Sequence, residues 1–269
     1  MREFNERVVV ITGAGSGIGR ELATQLAARG AVLALNDWSE AALTETWEQL
    51  PETARGLRAV FDVGDRTATE AFAQRVRRAL GRVDVVINNA GISIRQAPVT
   101  HLDVEDFERV LGVNLWGVIY GSLAFLPHLR ERPGGSLVNI SSVFGLMGFP
   151  GSGPYNVSKF GVRGFTETLR VELRGTDLHV ACVHPGGIKT NIVRNADIAD
   201  AREKERLLRT FDRNAPTTAA RAASVVIRGI ERRNPRILIG RDARFIDRVT
   251  RLLPASYERI LARWWRPVS

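Results

Sequence analysis

The chain has 269 residues, 44% of them hydrophobic, a single cysteine and a formal net charge of +9. That length and apolar content suit one domain with a sizeable core, and a lone cysteine excludes an internal disulfide framework. The surplus charge gathers at the end: residues 241–269 hold seven arginines against three acidic residues, with no DNA-reading motif beside them, so nucleic acid is not an expected partner.

Seven residues precede an apolar run at 8–11, so no signal peptide is expected, and no run reaches about 18 uninterrupted apolar residues. A cytoplasmic protein is expected. After that first strand come residues 12–19, T-G-A-G-S-G-I-G, and a helix-like stretch at 20–29. Strand, glycine turn and helix N-terminus stand in the order that a phosphate needs. Gly13 permits the tight turn, Gly17 lets backbone N–H groups approach a pyrophosphate, and Gly19 lets helix pack on strand.

Further apolar, β-branched runs follow at 31–35, 57–61, 83–87, 136–140, 178–183 and 236–239, with amphipathic stretches between them. Alternation of strand and helix predicts an α/β fold: one doubly wound Rossmann domain over 1–240, its seven-stranded parallel sheet ordered 3-2-1-4-5-6-7 with helices on both faces. Ligands bind outside the carboxyl ends of such strands. Cys182 falls inside an apolar run and reads as a small buried hydrophobe. Residues 189–215 are long, charged and without a clear strand, as a substrate lid would be. Beyond Gly240, arginines and apolar residues interleave over 241–269 as a basic amphipathic extension interrupted at Pro254. Packing of that extension on the protein is favoured over peripheral membrane contact.

Asp37 ends the second strand, 18 positions past Gly19. A carboxylate there accepts from both adenosine ribose hydroxyls and repels a 2′-phosphate, so NAD is preferred and NADP is the alternative. Capping of the next helix near Ser39 is the competing role for Asp37. Tyr155 and Lys159 stand four apart, on one face of a helix, where the lysine cation would lower the tyrosine pKa and ready it for proton exchange. His101, His128, His179 and His184 lack metal-ligand spacing, and no metal is expected. Ser142 has no G-x-S-x-G elbow, which argues against a serine hydrolase.

The glycine turn, Asn88-Asn89-Ala90-Gly91, Ser142 and Tyr155-x-x-x-Lys159, in this order and spacing, resemble the short-chain dehydrogenase/reductase family over residues 7–240. The resemblance implies a catalytic set of Asn114, Ser142, Tyr155 and Lys159: Tyr155 exchanges the proton, Lys159 tunes it and holds the nicotinamide ribose, Ser142 orients the substrate oxygen, and the Asn114 carbonyl anchors a water. Ser142 is preferred to Ser141 because it precedes Tyr155 by the family's 13 positions. It also implies cofactor contacts from Gly13, Ser16, Gly17, Ile18 and Gly19, from Asp37, from Asp62 and Val63 at the adenine, and from Asn89, Ala90 and Gly91 beneath the ribose. Pro185, Gly186, Ile188 and Thr190 would meet the nicotinamide.

The implied activity is hydride transfer between NAD(H) and an alcohol, ketone or aldehyde. Ile92, Ser93, Ile94, Phe144, Leu146, Met147, Phe149, Ile192 and Val193 would line the substrate wall, which suits a lipid, terpenoid or steroid-like molecule. A non-catalytic dinucleotide sensor or scaffold, and a carbon–carbon double-bond reductase, are the competing functions. A homodimer or homotetramer is expected through the helix over 107–129 and the helix after Tyr155, with Trp116, Tyr120, Phe125, Phe160 and Phe165 offering apolar surface, some of it facing the sheet.

Overall fold

The computed structural model describes residues 4–131, 133–189 and 217–262. Seven parallel strands form one sheet, β1 (Val8–Thr12), β2 (Val32–Asp37), β3 (Arg55–Val60), β4 (Val85–Asn88), β5 (Ser136–Ile140), β6 (His179–Pro185) and β9 (Arg236–Ile239). Their spatial order is β3-β2-β1-β4-β5-β6-β9, the order expected from the sequence. Two further short strands, β7 (Ile188–Lys189) and β8 (Thr217–Thr218), pair in parallel beside it. This ladder was not foreseen, because two-residue strands carry no periodicity.

The helices are α1 (Gly17–Ala27), α2 (Glu40–Glu48), α3 (Arg66–Leu80), α4 (Val104–Leu111), α5 (Gly117–Arg130), α6 (Gly153–Glu172), α7 (Ala219–Glu231), α8 (Arg241–Leu252) and α9 (Tyr257–Leu261). Successive side chains of a strand point to opposite faces, and β1 shows the consequence. Val9 and Ile11 join Leu22, Leu26 and Val226 in one core, whereas Val8 and Val10 join Phe72, Phe125, Leu129 and Leu169 in the other. Both faces are covered, so β1, β4, β5 and β6 are buried along their whole length and read as continuous apolar runs.

Helices α4 and α5 run on through a π-helical turn, Gly112–Trp116, in which Gly117 N–H donates to the Gly112 carbonyl. The resulting helix, Val104–Arg130, is the one among the described residues long and apolar enough to cross a membrane. Its Val118, Phe125 and Leu129 are instead buried against the sheet. Phe125 therefore offers nothing to a partner, and Phe165 also packs against the second core, so these are the aromatics of the five that face the sheet. Trp116 and Phe160 are exposed.

A third core lies beyond the sheet. Ala243, Ile246, Val249 and Leu261 of α8 and α9 pack against Val143, Leu146 and Met147 in the connection between β5 and α6. The expected break at Pro254 falls between the two helices; Ile246, Val249 and Leu261 are buried in the protein, whereas Phe245, Leu252, Leu253 and Ile260 are exposed. Trp264 and Trp265 lie outside the described residues.

Candidate active site

The site is assembled at the carboxyl ends of β1, β4, β5 and β6. Following β1, the chain turns with Gly13 at φ +65° and Gly17 at φ +54°, conformations that favour glycine. A Cβ on Gly19 would collide with the Gly13 carbonyl, so that glycine is what lets α1 lie against the turn. Ser16 occupies the N-cap of α1 with extended backbone and no side-chain cap, which leaves the first N–H groups, at Gly17, Ile18 and Gly19, without a side-chain acceptor. Such a helix start suits an anion.

Asn89 holds this turn from the side. Its Nδ2 donates to the carbonyls of Thr12 at 2.9 Å and Gly13 at 3.1 Å, while the Thr12 hydroxyl accepts from Asn89 N–H at 3.0 Å and Ala90 N–H at 3.1 Å. The side chain of Asn89 is thus structural, and the role of Thr12 was missed although it directly precedes the glycines. Asn88 ties β4 to β5 through Asn139 Oδ1 at 2.8 Å, and Asn139 reaches the Thr166 hydroxyl of α6 at 3.0 Å.

Asp37 is buried, with Oδ2 accepting from Gly15 N–H at 2.8 Å and Oδ1 from Ser39 N–H at 3.0 Å. It does not cap α2: Ser39 does, accepting from Ala42 N–H. The carboxylate instead faces the glycine turn, where ribose hydroxyls would meet it. Arg20, the cation nearest this corner, is held by Glu45 at 2.6 and 2.7 Å and by the Gly15 carbonyl at 2.6 Å. Asp62 is exposed and closes a local turn by accepting from Gly64 N–H at 2.8 Å, while Val63 is buried and would meet a Cβ on Gly117.

Tyr155 and Lys159 sit on the first turns of α6, the tyrosine half-buried and the lysine buried. Ser142, which follows β5, lies close enough to Tyr155 to act on its pKa, and its Oγ accepts from Phe144 N–H at 3.2 Å. The Ser141 hydroxyl is committed elsewhere, donating to the Lys159 carbonyl at 2.8 Å. Lys159 Nζ donates to the Ile140 carbonyl at 3.1 Å and lies 5.5 Å from the centre of the Tyr155 ring. The expected lowering of the tyrosine pKa is not found. Burial pushes Tyr155 up to about 12, only partly opposed by Ser142, and burial pushes Lys159 down to about 8. The ammonium lies over the ring, and desolvation dominates both groups.

Asn114 lies in the π-helical turn, fully buried, and its amide makes a two-way bond with Ile92: Oδ1 accepts from Ile92 N–H at 2.8 Å and Nδ2 donates to its carbonyl at 2.9 Å. A Cβ on Gly91 would approach Asn114 Oδ1 at 3.2 Å and Lys159 Nζ at 3.5 Å, so Gly91 leaves open the space beside the lysine. Asn114, Ser142, Tyr155 and Lys159, distant in sequence, come together.

On the far side, Pro185 ends β6, Gly186 N–H donates to the Ile239 carbonyl at 3.0 Å, and Ile188 is buried in β7. Thr190, Ile192 and Val193, with the expected lid beyond Lys189, lie outside the described residues. Two neighbours escaped the sequence reading. His184 is fully buried and bonds through Nδ1 to the Ser142 carbonyl at 3.1 Å, with burial pushing its pKa down to about 4. Asp242 bonds to Gly187 N–H at 2.7 Å.

Phe144 stacks on Phe149 at 4.7 Å between ring centres and meets the Tyr155 ring edge-on at 5.7 Å. Leu146 and Met147 are buried in the third core, and Phe144 and Phe149 pack against it.

A short chain dehydrogenase family model matches residues 7–201. The chain is 41% identical over 266 residues to the Mycobacterium tuberculosis oxidoreductase SadH, covering 97% of this chain and 96% of that protein. It is 38% identical over 196 residues to levodione reductase of Leifsonia aquatica, covering 72% and 73% of the two chains. Among solved structures, a short chain dehydrogenase/reductase from Burkholderia phymatum in complex with NAD superposes with a TM-score of 0.84 at 28% identity, covering 100% of this chain and 98% of that one.

Proposed function

Since the chain belongs to the short-chain dehydrogenase family, we propose that it is an NAD-preferring alcohol dehydrogenase or carbonyl reductase acting on a hydrophobic substrate. The observation that carries the reading is the convergence of Ser142, Tyr155 and Lys159, with the serine beside the tyrosine and the lysine beside its ring. The glycine turn with its uncapped helix start, the buried Asp37 and the open space at Gly91 fit a dinucleotide. When bound, the nicotinamide supplies the hydride acceptor or donor.

This chain's residues supply the rest. Ser142 holds the substrate oxygen by hydrogen bonding and supports charge developing on it. Burial holds the Tyr155 phenol neutral at neutral pH, so it delivers its proton to a carbonyl oxygen; in the other direction it first releases that proton to solvent and, as the phenolate, accepts the one from the alcohol. Lys159, pushed down to about 8, is poised to exchange protons near neutrality and to hold a ribose hydroxyl. Asn114 keeps the backbone at Ile92 fixed beside that lysine. Asp37 favours NAD over NADP, and the engagement of Arg20 by Glu45 supports this by leaving that cation committed. The stacked Phe144 and Phe149 favour an apolar substrate body next to Tyr155. The test is formation of reduced nicotinamide during a screen of hydrophobic secondary alcohols, with NAD and NADP compared.

A further inference from the structure

Glycines on two separate segments make room for one carboxylate. Gly186 and Gly187 form the turn after β6, and Gly240 closes β9 just before α8; a Cβ on Gly186 or on Gly240 would collide with the side chain of Asp242. From that niche Asp242 Oδ2 accepts from Gly187 N–H at 2.7 Å. The neighbouring bonds of the same turn are ordinary backbone ones, Gly186 N–H to the Ile239 carbonyl at 3.0 Å and Thr217 N–H to the Gly187 carbonyl at 3.3 Å. The Asp242 bond is the charged and short one.

An aspartate in the first turn of a helix ordinarily serves the helix by facing its N–H groups or solvent. Asp242 is half-buried and aims its Oδ2 at the turn after β6, while its Oδ1 is buried without a hydrogen-bond partner among the described residues. Burying an unpaired carboxylate oxygen costs stability, so helix initiation alone does not account for this orientation. What the carboxylate does hold is the peptide between Pro185 and Ile188.

We propose that Asp242 is a positioning residue for the nicotinamide end of the cofactor, clamping Gly187 so that the backbone from Pro185 to Ile188 is fixed where the carboxamide docks. This rests on the reading of that turn as a nicotinamide contact. It also assigns a role in the cofactor site to a helix that lies beyond the 7–201 match to the family.

ADP-ribose shares the adenosine diphosphate half of the cofactor but lacks nicotinamide, and so separates a local clamp from general damage. Binding of NADH and of ADP-ribose is measured by calorimetry for wild type, Asp242→Ala and Asp242→Asn. Asp242→Ala is expected to weaken NADH about tenfold or more, the order of a lost charge-assisted hydrogen bond, while ADP-ribose stays within about twofold. Asp242→Asn keeps the shape and an acceptor oxygen and is expected to weaken NADH less; should the alanine variant fail to fold, the asparagine variant must still show selective weakening. Equal loss for both ligands, or unchanged NADH affinity, overturns the clamp. Wild type that binds ADP-ribose with no gain from the nicotinamide of NADH overturns the underlying reading of the turn instead.

Discussion

The Ser141 hydroxyl donates to the Lys159 carbonyl at 2.8 Å, so the serine next to Ser142 fastens α6 to the end of β5 instead of facing the substrate. A Cβ on Gly145 would collide with that same hydroxyl. Two adjacent serines thus divide the work, one holding the helix that carries Tyr155 and Lys159, the other lying beside the tyrosine. Ser142→Ala is expected to lower kcat by about 10²–10³ with folding unchanged, the scale of losing an oxyanion-type donor. Ser141→Ala is expected to lower stability by about 1 kcal/mol, the net worth of one buried hydrogen bond, with a much smaller effect on kcat. Steady-state rates with thermal unfolding of both variants check the division.

Cofactor choice follows from Asp37 and Trp38. The carboxylate is buried against the glycine turn, whereas Trp38 is 73% exposed and offers no cation. Wild type is expected to show higher kcat/KM with NAD than with NADP, and Asp37→Ser combined with Trp38→Arg should reverse the order by removing a repulsion and adding a guanidinium. A wild-type preference for NADP would show that Asp37 is misread.

His184 is neutral in the fold, pushed down from 6.5 to about 4 by burial, and its Nδ1 must carry the proton to donate to the Ser142 carbonyl. Its folded pKa is depressed, so the unfolded chain binds the extra proton first as pH falls. The stability is present above pH 6.5 and is lost between 6.5 and about 4, by as much as ~3 kcal/mol. Denaturant unfolding of wild type and His184→Asn at pH 7, 5.5 and 4.5 is expected to show the difference between them shifting against wild type as pH falls. A constant difference would contradict the assignment.

Self-association is expected to use α5, α6 and the π-helical turn. Trp116 stacks on Tyr120 at 5.6 Å and is 49% exposed, with Leu123, Val157 and Phe160 also exposed nearby in sequence on these helices. Light scattering at micromolar concentration should give a dimer or tetramer for wild type, and Trp116→Glu with Phe160→Glu should give a smaller species.

What could be read without coordinates was what is local or periodic. The glycine turn, the four-residue spacing of Tyr155 and Lys159, and the strand runs each declare themselves within a few residues, and parallel crossovers of one hand then leave few sheet orders. What could not be read depends on contacts far apart in sequence. Ser142 and His184 meet across 42 positions, and Gly187 and Asp242 across 55. Leu146 and Phe144 look alike in sequence, and only the fold decides that one is buried in the third core and the other is partly buried against it. The electrostatics of Tyr155 were misjudged because spacing locates the lysine on the same helix face but says nothing of how dry that face is.

The central claim is that Tyr155 moves the proton that accompanies hydride transfer. It is tested most directly by comparing wild type with Tyr155→Phe, measuring NADH formation from the best hydrophobic alcohol found and NADH binding on the same preparations, with product analysis to establish that a carbonyl forms. The account predicts a loss of turnover of about 10²–10⁴ with NADH affinity within about twofold, since only the phenol oxygen is removed. Retention of more than about a tenth of wild-type turnover would contradict it.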